Sequence, residues 1–318
     1  MSGAASGRGE AAMVPQVDFE SYYGRQIIKT PTWKTPDVPL YLFLGGLAGA
    51  SAVLAEGASL RDLPRLETVA RGAAASGAGL GTVFLVHDLG RPERFLNMLR
   101  VFKPTSPLSV GSFILAPFSP LAIIAFGSKL TGWFPRLGRL AGVGAAAFGP
   151  ALATYTAALL GNTVVPAWHE AHRELPFVFG GSGAQAAGGV AMLLVPIDQA
   201  GPARRLALMG AAVEIVAAES ILRQRGLAAE PYETGRPGRL MRVARSATTL
   251  ASVATVLGGR RSRVLSALAG ATYVAASVTT RFGIFEAGLA SARDPKYTVV
   301  PQRERLRQRQ DASAKMTT

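Results

Sequence analysis

A chain of 318 residues with 49% hydrophobic side chains, positive mean hydropathy and a formal net charge of +14 is both greasy and strongly basic. Clustered Lys and Arg would be the footprint of a nucleic-acid binder. Here they punctuate long apolar runs instead, which is how membrane proteins distribute charge, so nucleic acid is set aside as a partner. With no cysteine, the chain can hold neither a disulfide nor a thiolate-ligated iron–sulfur cluster of its own.

Residues 1–36 contain no apolar signal-like run and read as a flexible tail leading into an interfacial segment that carries Tyr22, Tyr23, Gln26, Lys29 and Trp33. Eight segments then approach the roughly 20 apolar residues needed to span hydrocarbon: 38–60, 66–87, 108–129, 138–161, 175–197, 204–222, 243–259 and 262–285. The expected fold is therefore an all-α integral membrane protein with eight transmembrane helices, filling residues 37–291. The first segment is the clearest. The second and seventh are rich in Ala, Gly, Ser and Thr, and Gly45/Gly49 and Gly77/Gly81 have the four-residue spacing that lets membrane helices approach closely. Residues 292–318 form a basic C-terminal tail, expected to be disordered or bound to a partner.

Between the second and third segments lies HDLGRPERFLNMLRVFKPTSPLSVGSF (87–113), where Arg91, Arg94, Arg100 and Lys103 stand beside Phe95, Leu96, Met98 and Leu99. A stretch both cationic and apolar suits a docking surface, with its apolar side chains in the interface and its cations toward an acidic partner or anionic membrane lipid. It also suits a solvated positive loop that only sets topology.

Metal and haem chemistry find little support. The three histidines are His87, His169 and His172, and the HEAH run at 169–172 lacks the helical HExxH spacing of a zinc site. All three fall at one end of the predicted spans, where they cannot supply the axial ligands of a two-haem anchor. Ionisable residues inside or at the ends of spans are costly and normally face the bundle interior. Glu56, Glu214, Glu219, Arg281 and Glu286 are of this kind, read either as buried ion pairs between the sixth and eighth segments or as a proton path. Glu56, near the end of its span, could also reach the interface.

Aromatic and polar residues gather at the same end as the histidines: Tyr23 and Trp33 before the first span, Tyr155 near the end of the fourth, then Trp168 and His169. Such aromatics anchor membrane interfaces. Tyr and His beside a short loop also offer the donors that a quinone head group needs, while its isoprenoid tail needs only an apolar gap.

Over about 38–300 the chain resembles the NrfD/polysulfide-reductase membrane-subunit family, in its actinobacterial branch. The resemblance rests on PLYLFLGGLAGASAVLAEGA, the 87–113 stretch, TYTAALLGNTVVPAWHEAHRELPFVFGGSGAQAAGG and SARDPKYTVVPQRER. It implies eight spans in two four-helix bundles, with no haem. It further implies a subunit that exchanges electrons between membrane quinone, menaquinone or ubiquinone, and a four-cluster ferredoxin-like iron–sulfur subunit, itself serving a molybdopterin catalytic subunit of anaerobic respiration. Tyr155, His169, Trp168 and Tyr23 best match the quinone pocket. The family's better-known pockets carry an Asn and a His in the pre-helix segment, where this chain has neither.

A structural anchor without quinone chemistry and a secondary transporter are the rival readings. Transporters usually show internal repeats and midplane sites, and neither is evident. Eight spans place both termini on one side of the plasma membrane. With the distal tails discounted, Lys and Arg number 16 on that side against 11 on the other, so the positive-inside rule makes the termini cytoplasmic.

Overall fold

The computed structural model describes residues 27–89, 92–223, 226–227 and 229–316, and no strand occurs among them. Eight long helices take up the eight apolar segments: α1 (Asp37–Ser59), α2 (Pro64–Asp88), α3 (Pro107–Thr131), α4 (Pro135–Gly161), α6 (Leu175–Leu194), α7 (Gly201–Arg223), α9 (Gly235–Gly258) and α10 (Arg263–Arg293). Two short helices, α5 (Pro166–Glu170) and α8 (Glu230–Glu233), sit in connections, and a 3-10 helix covers Pro92–Leu99. The basic C-terminal segment, expected as a disordered or partner-bound tail, is helical in α11 (Lys296–Met316).

Five helices, α1, α2, α3, α4 and α6, are long and apolar enough to cross a membrane. The others are diluted by their composition: α7 carries Glu214 and Glu219, the first half of α9 carries four arginines, and α10 is rich in Ala, Gly, Ser and Thr. Proline opens α2, α3, α4 and α5 in the first turn, where its missing N–H is no loss because those donors have no intrahelical acceptor anyway. Gly132, at φ 73°, closes α3 in the left-handed conformation, which costs glycine nothing. Ser262 caps α10 by accepting the Leu265 N–H at 3.2 Å.

α1 lies at the centre, packed on α2, α4 and α6; α2 and α3 complete one side, and on the other α7 and α10 pack on α6 while α9 packs on α10. Close approach is bought by missing side chains. A Cβ on Gly49 would overlap the Gly149 backbone of α4, and one on Gly77 would come to 3.1 Å from the Leu44 carbonyl. Of the two four-spaced pairs, Gly49 and Gly77 mark the contacts, whereas Gly45 and Gly81 would meet nothing closer than 3.5 Å.

Successive long helices alternate in direction, so one end of the molecule collects residues 27–36, the 3-10 helix, α5, α8 and α11. Lys34 ties that end together, donating from its backbone N–H to Asp88 at 2.8 Å and from Nζ to the His87 carbonyl at 3.1 Å. Lys296 Nζ reaches Glu230 at 2.7 Å, joining α11 to α8.

Candidate functional site

The collected end is built around Trp168. Its indole is fully buried, and its Nε1–H donates to the Ile284 carbonyl of α10 at 2.8 Å. Trp33 stacks on it with ring centroids 5.6 Å apart, and Phe285 lies 6.4 Å from Trp33 and 5.9 Å from Trp168. Stacked aromatic pairs at such distances contribute about 0.5–1.5 kcal/mol beyond their buried area. Gly288 makes the room, because a Cβ there would fall inside the Trp168 ring. The α5 backbone is pinned as well: Ala167 N–H donates to Ser291 Oγ at 3.2 Å, and Tyr232 Oη–H donates to the Ala167 carbonyl at 3.0 Å. Burial pushes the Tyr232 phenol above its ordinary pKa, with the Glu174 carboxylate adding to the effect, so this hydroxyl stays a donor.

Tyr155 belongs to the same apolar core as Trp168, Phe285 and Tyr41, with Trp33 packed against it. It is 7% exposed, and its ring lies where a Cβ on Gly111 of α3 would be. Its hydroxyl is buried and has no hydrogen-bond partner among the described residues. A buried donor left unpaired costs about 1–3 kcal/mol. An acceptor brought to that position by another molecule would recover it.

The remaining residues of the expected pocket are placed differently. His169 is on the outer side of α5, exposed, with Nδ1 3.1 Å from the Gly161 carbonyl. His172 stacks beside it at 5.9 Å between rings. Tyr23 lies outside the described residues, as do Tyr22 and Gln26. His87, a third histidine of this end, pairs through Nδ1 with the buried Asp37 at 2.7 Å. Among the described residues no group of three or more His, Asp or Glu side chains is placed to hold a metal.

Of the expected docking cations, Arg100 and Lys103 are exposed beyond the 3-10 helix. Arg91 is outside the described residues, and Arg94 lies within that helix.

The ionisable residues resolve into separate networks. Glu56 pairs with Arg71 of α2 at 3.1 Å inside the bundle. Arg71 also holds Glu67 at 2.9 Å and donates to the Ala125 and Gly138 carbonyls at 3.2 and 3.0 Å, while Lys129 closes on Glu67. Sequence reasoning missed this hub, although an Arg inside the second apolar segment was its signal. Glu214 is buried and accepts from Thr280 Oγ1 at 2.6 Å and from Gln185 Nε2. Arg281 is fully buried nearby, donating to the Phe179 carbonyl at 2.9 Å with its guanidinium 3.9 Å from the Phe179 ring centroid. Glu219 and Glu286 turn instead to arginines of α9, Arg245 at 2.9 Å and Arg236 at 3.2 Å. The sixth and eighth segments thus share the Glu214–Arg281 neighbourhood but no direct ion pair among the described residues.

Five helices long and apolar enough to cross a membrane, together with buried charge networks, define a multi-pass helical membrane protein, with an aromatic, partly unsatisfied site at one end. The chain belongs to the NrfD family: the family model for polysulphide reductase, NrfD, matches residues 28–197, from Trp33's segment through α6. No curated protein matches the chain.

Proposed function

We propose that this chain is the quinone-interacting membrane subunit of a redox complex, its eight long helices all crossing the plasma membrane as two four-helix bundles, α1–α4 and α6, α7, α9 and α10. The observation that carries the reading is the Tyr155 hydroxyl, a donor buried in an apolar core with no hydrogen-bond partner among the described residues. A quinone carbonyl is an acceptor that fits it. When bound, the quinone supplies two-electron, two-proton chemistry.

This chain's residues do the rest. Tyr155 orients and polarises one carbonyl. Trp33, Trp168 and Phe285 wall the site and keep water out. Trp168 is a wall and not a donor, since its N–H is committed to Ile284. His169, whose ring reaches the surface, is suited to pass protons between the site and solvent. Electrons come from or go to a ferredoxin-like iron–sulfur subunit that docks on the same end, where Arg100 and Lys103 stand exposed, and that subunit serves a molybdopterin enzyme. The positive-inside balance makes this face cytoplasmic.

The commitment of Trp168 to internal bonding equally suits a purely structural anchor, and one experiment separates the two. The complex is purified from membranes through a tag on this chain, and its iron, molybdenum and quinone contents are measured. Co-purifying iron, molybdenum and near-stoichiometric quinone support the proposal. Iron and molybdenum without quinone favour the anchor, and none of the three rejects both.

A further inference from the structure

A quinone has two carbonyls and takes up two protons, and Tyr155 with His169 serves one of each. The α1–α2 edge of the same end carries groups that match the other. Tyr41 of α1 is 5% exposed and belongs to the core cluster that holds Tyr155. The two tyrosines lie at one depth. A Cβ on Gly45, one turn past Tyr41, would be 3.9 Å from the Leu152 carbonyl of α4, and Leu152 lies one turn before Tyr155. The Tyr41 hydroxyl, like that of Tyr155, makes no hydrogen bond among the described residues.

Asp37 stands one turn before Tyr41 on α1, at the i, i+4 spacing that puts two side chains on one face. Helical side chains lean toward the helix N-terminus, so the Tyr41 ring reaches back toward the level of Asp37. Asp37 is itself buried, and its Oδ2 is 2.7 Å from Nδ1 of His87 near the end of α2. The His87 side chain is 70% exposed. Lys34 and Asp88 are the other charged groups here. Lys34 bonds to Asp88 and to the His87 backbone carbonyl, which leaves the His87 ring to Asp37 and solvent. A pin between α1 and α2 would need only an acceptor at Asp37. A buried carboxyl between an exposed imidazole and an unpaired phenol has what a proton relay needs.

We infer that His87, Asp37 and Tyr41 carry a proton between solvent and the second quinone carbonyl, with Tyr41 bonded to that carbonyl. The inference rests on the quinone reading. In reduction, the partner's iron–sulfur clusters supply two electrons, and the Tyr41 O–H gives its proton to the carbonyl oxygen. Asp37 reprotonates the tyrosine oxygen, the His87 imidazolium reprotonates Asp37 from Nδ1, and solvent recharges His87. One proton thus passes from solvent to the quinone on this side, and quinol oxidation runs the same steps backward.

The intact complex, purified through this chain, is assayed with a short-chain quinone over a range of concentrations. Asp37→Asn keeps an acceptor for the His87 ring but carries no proton, so kcat should fall at least about tenfold with little change in KM. His87→Ala should lose turnover likewise and regain several-fold on adding imidazole, which reaches that exposed position from solvent. Tyr41→Phe breaks no hydrogen bond within the described structure and should fold normally, lower kcat and raise KM. Full kcat in Asp37→Asn, or a loss in His87→Ala that imidazole does not restore, would overturn the inference. Being at the surface, His87 decides it even if Asp37→Asn does not fold. Tyr155→Phe in the same assay tells the two failures apart. If it alone loses turnover, the quinone reading stands without this relay; if none of the four variants does, both fall.

Discussion

Replacing Tyr155 by Phe removes one atom that has no hydrogen-bond partner among the described residues. The ring stays in the core against Gly111, and no hydrogen bond within the described structure is broken, because the hydroxyl has none. Leaving that donor unpaired costs about 1–3 kcal/mol, so the variant purified without quinone should be as stable as the parent or more so. Activity should move the other way. A hydrogen bond to a group that gains negative charge is worth about 1.5–3 kcal/mol, which at about 1.4 kcal/mol per factor of ten corresponds to a fall of about tenfold to a hundredfold in quinone-linked turnover. Thermal unfolding in detergent and turnover of the purified complex with a soluble quinone read the two effects separately. A variant that loses stability shows that the hydroxyl has a structural partner. One that keeps full turnover shows that it has no role toward quinone, and either result refutes the reasoning.

Arg71→Met should destabilise the chain by about 3–5 kcal/mol, since Glu56, Glu67 and two backbone carbonyls then lose a buried cation; a sharp fall in melting temperature is expected, and an unchanged one would show that water satisfies the hub. Gly49→Ala forces α1 off the Gly149 backbone and should cost about 1–3 kcal/mol as overpacking, again read from thermal unfolding. Gly288→Ala displaces the Trp168 ring and breaks its bond to Ile284, so tryptophan emission should shift to the red, toward that of a wetter indole; unshifted emission would mean that the ring accommodates the methyl in place.

The helical plan was legible in the sequence because apolar length is a direct signal in lipid, and all eight segments correspond to long helices. Boundaries drifted where that signal fades. α10 runs on to Arg293, past Glu286, whose charge is paired with Arg236 in a contact that no local pattern reveals. The buried charges were visible as residue types, but their partners were not: Glu219 and Glu286 bond to α9, a helix whose arginines look like loop charge in sequence. Tyr155 and Trp168 stood out as aromatics at one end, and the structure places both in one core. That one indole donates to Ile284 while one phenol has no partner among the described residues depends on side-chain directions, which spacing cannot supply. Trp33 looked like a belt residue and turns out to stack on Trp168.

The central claim is that quinone and an iron–sulfur partner exchange electrons through this chain, and it is tested most directly by spectroscopy of the clusters themselves. The purified complex is reduced anaerobically, mixed with a soluble quinone, and followed by electron paramagnetic resonance of the iron–sulfur signals. The account predicts that quinone reoxidises the clusters promptly when this chain is present, about tenfold or more slowly with Tyr155→Phe, and not on the same timescale when the chain is absent. Reoxidation at the same rate with and without this chain would contradict it.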